Sequence, residues 1–191
     1  MFRKFLYSKF TAFILRSILQ CFYPPKFLMG KFYEEKRMGY FWALKGIPRL
    51  FALRRQKVKW PVGKNTMVLG GDKIFFDNSS INVFQQFGCY FQAFEKIEIG
   101  KDVWIGQNTG IITANHKLTD PNQHEDGKPV ILRDKVWIGM NSVVLPGVTL
   151  GPHTIVGAGS VVTKSFPDGW CVIAGNPAKI IKKIEHDEIA Q

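Results

Sequence analysis

The stretch 137–162, WIGMNSVVLPGVTLGPHTIVGAGSVV, decides the fold, because an aliphatic residue returns in it at every sixth position. Ile138, Val144, Leu150, Val156 and Val162 mark the beat. Working outward, the same step meets Leu132. Beyond an interruption it meets Leu69, Phe75, Ile81, Phe87, Ala93, Ile99, Ile105 and Ile111. All fourteen positions are apolar. Six is neither the helical period nor the two-residue alternation of a strand. It predicts a parallel β-helix, in which each unit makes one short strand and one turn and three units make one full coil. The aliphatics are expected to point inward. Small or apolar residues two positions earlier (Val103, Thr109, Val136, Ser142, Val148, Thr154, Ser160) are expected near the corners. Glycine often follows the aliphatic, as at Gly70, Gly88, Gly100, Gly106, Gly139, Gly151 and Gly157. The expected reason is that glycine adopts backbone angles other residues avoid.

Between Ile111 and Leu132 the beat stops. The two blocks differ in register by one coil plus half a repeat, so the break is an excursion from a continuous coil, with a protruding loop over about 117–130. His116 stands at its edge in "TANH". An alcohol is a poor nucleophile while it keeps its proton, and an imidazole titrates near neutrality and can take that proton. The other ring nitrogen of such a base needs a partner. Asn115, Asp120 or a backbone carbonyl within 117–130 are the candidates.

The N-terminal third has a different character. The chain of 191 residues carries a net charge of +11, yet residues 1–60 hold 14 Lys/Arg against Glu34 and Glu35 alone. Apolar residues recur at helical steps from Phe2 through Phe5, Leu6, Phe10, Phe13, Ile14 and Ile18 to Phe22, and Pro24–Pro25 should end that helix. One or two further helices, broken near Gly46 and Pro48, should follow. Arg16 splits the apolar run, so neither a signal peptide nor a membrane span is read there. Cations interleaved with aromatics suit a segment lying at an anionic membrane surface. No nucleic-acid motif accompanies the charge, so no nucleic-acid partner is expected. Cys21, Cys89 and Cys171 make no disulfide framework and point to a reducing compartment. The expected division is a basic membrane-associating segment 1–60, a β-helix domain 61–183 and an acidic tail 184–191. The expected location is cytoplasmic, peripheral at the inner face of the cell membrane.

"IGKDVWIGQNTGIITANH", the stretch quoted above with "VVTKSFP" after it, and "AGNPAKIIKKI" resemble the hexapeptide-repeat acyltransferases. Within them the chain looks most like the O-acetyltransferases of sugars and surface polysaccharides. The resemblance implies a left-handed coil and a homotrimer, with acetyl-CoA in the cleft between subunits and no metal. It places the catalytic base at His116. It also places Trp137 and Met140 at the thioester arm, Ala158 along pantetheine, Thr163 and Lys164 near adenine, and Lys179 and Lys182 near the phosphates. Relatives carry arginine at those last two positions; lysine keeps the charge but loses the fork. Where relatives hold the acceptor with an asparagine, a gap-free alignment back from Ile99 meets Gln86. With Tyr90 and Asn115 it forms the expected saccharide contact. Phe87 and Phe91 are expected to fill the wide end of the coil, leaving Gln85, Gln86, Tyr90 and Gln92 freer.

The expected activity is acetyl transfer from acetyl-CoA to a saccharide hydroxyl in a surface polysaccharide or a lipid-linked precursor. Two rivals use the same fold. A carbonic-anhydrase-like enzyme would gather His116, His124 and His153 on zinc. A membrane-recruited trimeric scaffold would do no chemistry.

Overall fold

A computed structural model describes residues 9–185. Residues 1–8, with Phe2, Phe5 and Leu6, and residues 186–191, with His186, lie outside them.

Most of the chain folds into short strands distributed over three parallel sheets. The first sheet contains β1 (Met67–Leu69), β3 (Tyr90–Gln92), β6 (Gly110–Ile112), β11 (Val143–Val144) and β14 (Val161–Val162). The second contains β2 (Ile74–Phe76), β4 (Ile97–Ile99), β9 (Val130–Leu132) and β12 (Thr149–Leu150). The third contains β5 (Trp104–Ile105), β10 (Trp137–Ile138), β13 (Thr154–Val156) and β15 (Cys171–Gly175), edged by an antiparallel β16 (Ala178–Lys183). From β4 the chain visits the second, third and first sheets in rotation. Val162 pairs with Val144, and Val156 with Ile138, each three repeats on. The aliphatics on the beat from Ile99 to Val162, with Val103, Thr109, Val136, Ser142, Val148, Thr154 and Ser160, are all buried. Side chains from all three sheets form one hydrophobic cluster.

The beat fails before Ile99. Phe75 is 55% exposed and Phe87 57%, whereas Phe91 is buried. The inward residues of the early strands are Val68 and Ile74, one position before the expected ones. They pair with Phe91 and Ile97, a longer step than three repeats. The excess arises because a 3₁₀ segment, Asn78–Gln85, takes the place of a strand on the third side. A 3₁₀ helix advances only about 2 Å per residue against about 3.3 Å for a strand, so more residues cover the same edge. Ile81 lies on that segment and is buried among the helices.

Glycine after the aliphatic has a different cause from the expected one at most positions. Gly106 and Gly139 do not have positive φ. A Cβ on Gly106 would lie 2.5 Å from the Met140 nitrogen, and one on Gly139 2.5 Å from the Ala158 nitrogen. Close approach of successive coils requires glycine there. The left-handed angles sit three residues after the aliphatic, at Asp102, Asn108, Lys135, Asn141, Gly147 and His153.

The N-terminal region is helical: α1 (Lys9–Leu19), α2 (Lys31–Glu34) and α3 (Met38–Ala52). The last runs unbroken through Gly46 and Pro48, correcting the expected break. Gly46 is an approach point, since a Cβ there would lie 2.9 Å from the Tyr23 hydroxyl, which donates to the Ala43 carbonyl at 3.0 Å. Leu19, Tyr23, Leu28, Phe32, Tyr33, Tyr40 and Ala43 form a second core closed by Ile81. Lys31 pairs with Asp102 of the coil and holds its carboxyl below the usual range. An aromatic column joins the two cores: Phe27 stacks on Phe76, Phe76 meets Phe84 at 4.9 Å, and Phe84 meets Phe91 at 4.9 Å.

Candidate active site

Ile99 pairs with Leu132 across far more than three repeats, so one coil carries the excursion. The excursion is a β-hairpin, β7 (His116–Lys117) against β8 (Asp120–His124). The sequence dictates the turn: Asp120 precedes a proline, and its carboxylate accepts from the Asn122 backbone N–H at 3.0 Å and the Gln123 amide at 2.8 Å. Those bonds hold the Asp120 carboxyl below its ordinary range. The Glu125 N–H donates to the Asn115 carbonyl at 2.9 Å and closes the base of the hairpin.

His116 is exposed, and its Nδ1 lies 2.6 Å from the Pro121 carbonyl oxygen. A carbonyl only accepts, so Nδ1 carries the proton, and in the neutral imidazole Nε2 is the nitrogen left as an acceptor. The third of the three candidate partners is therefore the one seen, a backbone carbonyl of the excursion. Asp120 is occupied in the turn.

His124 has no expected role outside the zinc rival, but its ring lies 4.3 Å from that of His116, tilted by 35°. Phe94 meets the His124 ring edge-on at 5.4 Å. This stack limits rotation of the His116 ring. Aromatic pairs contribute about 0.5–1.5 kcal/mol beyond burial, so His124→Ala should lower kcat up to about tenfold with KM little changed. His124→Phe should restore most of it; steady-state kinetics of the two variants check this.

The remaining expected residues fall on two edges. Trp137 lies on the outer face of the third sheet, 54% exposed, beside Trp104 and Ile155. Ile155 pairs with Val172 and Val172 with Lys182, so Trp137 and Lys182 share that face. Met140 and Ala158 occupy successive turns from the third sheet to the first. The Met140 carbonyl accepts from Gly159 N–H at 2.8 Å. Lys179 pairs with Ala174, whose Cβ lies 2.9 Å from the Cβ position of Gly157 on the same edge. Thr163 and Lys164 instead leave the first sheet on the edge from which the chain departs toward His116. The chain thus puts His116, Thr163 and Lys164 on one edge, and Trp137, Met140, Ala158, Lys179 and Lys182 on the next edge and face.

The acceptor residues divide likewise. Asn115 adjoins His116. Gln86 lies where the chain enters the first sheet, its carbonyl accepting from Thr66 Oγ1 at 2.6 Å. Tyr90 is half-buried on the outer face of that sheet, opposite Met67 and Gly110. Gln85 and Gln92 are not free: Gln85 Nε2 donates to the Pro61 carbonyl at 2.8 Å, and Gln92 Oε1 accepts from Ala114 N–H at 3.2 Å.

His153 stacks on Trp170 at 4.0 Å, in the turn between the second and third sheets. Among the described residues no three His, Cys, Asp or Glu side chains are grouped to hold a metal. Cys89 and Cys171 are buried, and burial pushes both thiols up.

The family model described as bacterial transferase hexapeptide (six repeats) matches residues 129–164. A Schizosaccharomyces pombe protein, provisionally named an acetyltransferase, is 42% identical over 54% of this chain and 51% of its own. The chain thus spans about half the length of that relative. The Escherichia coli K12 protein provisionally named lipopolysaccharide biosynthesis O-acetyl transferase WbbJ is 37% identical over 66% of this chain and 68% of its own. A maltose O-acetyltransferase structure from Clostridium difficile 630 is 30% identical, covering 95% of this chain and 91% of that one, with a TM-score of 0.54. With the coil, its repeat and this extent of likeness, the chain belongs to the hexapeptide-repeat acyltransferase family.

Proposed function

We propose that this protein transfers acetyl from acetyl-CoA to a hydroxyl of a saccharide, with His116 as general base. The observation that carries the proposal is the Nδ1 contact to the Pro121 carbonyl, which leaves Nε2 as a fixed lone pair on an exposed hairpin. Nε2 takes the hydroxyl proton as the oxygen attacks the thioester carbonyl. The tetrahedral intermediate expels the CoA thiolate, which receives the proton from the imidazolium. Both substrates bind together, so no acyl-enzyme forms.

The coil is left-handed and assembles as a trimer in this proposal. A second subunit would supply what one protomer separates. The edge bearing Met140 and Ala158 would face the neighbour's edge bearing His116, with acetyl-CoA between them. Trp137 and Met140 would flank the thioester arm and Ala158 the pantetheine. Thr163 and Lys164 would lie near adenine, and Lys179 and Lys182 near the phosphates. Asn115, with Tyr90 and Gln86, would contact the acceptor. Likeness to proteins named for acetylation of maltose and for lipopolysaccharide biosynthesis supports a saccharide acceptor. The basic segment 1–60 would hold the enzyme at an anionic membrane, peripherally, on the cytoplasmic side. Among the described residues no helix is long and apolar enough to cross a membrane.

The test is mass spectrometry of candidate oligosaccharides incubated with enzyme and acetyl-CoA. A gain of one acetyl group on a sugar, with release of free CoA, is expected. Acetyl-CoA that binds in calorimetry but reaches no saccharide would remove the acceptor assignment. Failure to bind acetyl-CoA would favour the scaffold.

A further inference from the structure

Two helices of the N-terminal region expose apolar side chains that the other described residues leave uncovered. On α1, Ala12, Leu15 and Leu19 pack inward. The opposite face carries Phe10 at 68% exposure, Phe13 at 71%, Ile14 at 40% and Ile18 at 49%. A helix apolar on both faces calls for a covering on its outer side. The outer face of α3 repeats the pattern with Phe41 at 56%, Leu44 at 41% and Phe51 at 63%. Both helices end at one cleft of about 570 Å³, which Phe22 borders at the α1 end and Phe51 at the α3 end. Arg54, Lys57 and Lys59 rim the same cleft. Lys57 pairs with Asp72 at 2.7 Å, while Arg54 and Lys59 form no ion pair among the described residues.

We infer that this cleft seats the phosphate headgroup of an anionic membrane lipid, with the outer faces of α1 and α3 in the bilayer interface. The inference rests on the membrane reading above and gives it a site. The chemistry selects the occupant. A water-facing protein surface tolerates the cations but not the bordering rings, and an apolar protein partner satisfies the rings but not two unpaired cations. A phospholipid satisfies both, with phosphate at Arg54 and Lys59 and acyl chains beside Phe22 and Phe51. Cations near an anionic leaflet gain from its surface potential, and aromatic rings settle at headgroup depth. The location also has a use: it holds the catalytic coil near acceptors attached to lipid.

The test is co-sedimentation of the full chain with phosphatidylcholine vesicles, with and without phosphatidylglycerol, and with no glycolipid present. Binding to the anionic vesicles alone is expected, which also separates a bilayer phosphate from that of a lipid-linked acceptor. Arg54→Glu with Lys59→Glu should weaken that binding at least tenfold while acetyl transfer to a soluble saccharide continues at the wild-type rate. Lys101→Glu with Lys135→Glu, the same charge change on the coil, should weaken it much less. Equal losses in the two double variants would assign the effect to net charge and overturn the cleft. Undiminished binding by the cleft variant would overturn it while leaving membrane contact standing. A wild-type chain that binds neither vesicle would overturn both.

Discussion

His116→Ala should lower kcat for acetyl transfer by about 10²- to 10⁴-fold, the range of general-base contributions. The structure makes the expectation specific. Because Nδ1 donates to the Pro121 carbonyl, the ring has one available lone pair, at Nε2, and one fixed orientation. Alanine removes the lone pair and leaves the hydroxyl proton to solvent. The substitution should leave the coil intact, since His116 is exposed and belongs to neither hydrophobic core. Exposed substitutions typically shift stability within about 0.5 kcal/mol. KM for acetyl-CoA should hold, because none of the phosphate or pantetheine contacts proposed above involves the imidazole. Release of free CoA thiol in the presence of acceptor measures the rate, and size-exclusion chromatography with light scattering checks the assembly. A variant that assembles and retains the full rate would remove His116 as the base.

How much of this was legible in the sequence depends on how far local pattern decides the outcome. Ile138, Val144 and Val162 could be placed inward from spacing alone, since one coil stacks on the next and each inward position recurs. Phe75 and Phe87 could not, because a 3₁₀ segment changes the residue count per coil, and no period records that change. The glycines after the aliphatics were visible, but their cause was not. Spacing shows that a residue recurs, whereas only packing shows that a Cβ at Gly139 would meet the next coil. The proposed base, His116, stands out in the sequence as a histidine at the edge of a break. Its holder was legible only as a class, because a backbone carbonyl has no side-chain signature. His124 was missed as a neighbour of His116 because its separation from His116 has meaning only once the hairpin is known, and Asp120-Pro121 was the available turn signal. Trp104 had a clearer signal in the repeated VWIG at 103–106 and 136–139.

Phe91→Ala should destabilise the protein by about 3–5 kcal/mol, the usual cost of emptying a buried phenylalanine site. The cost should fall in the upper part of that range because the site cannot collapse. Phe91 is fully buried on β3, between Val68 and Ile111 in the stack of the first sheet. Those backbones are fixed by parallel pairing on both sides. From the helical end, Phe84 reaches Phe91 at 4.9 Å, and Trp60 and Phe76 reach Phe84 at 5.1 and 4.9 Å. Removing the ring therefore withdraws the last member of the column that connects the helical core to the coil. The helices should loosen before the coil does, because Phe76, which packs against both cores, loses the support of Phe84 and Phe91 behind it, leaving Phe32 against Trp104, Arg49 on the Thr66 carbonyl, Ile81 and the Lys31–Asp102 pair. Hydrogen exchange should show residues 9–60 deprotected first, and chemical denaturation should give the lowered stability. A loss below about 1 kcal/mol, with the helices as protected as in the parent, would mean that Phe91 is not the joint between the two cores.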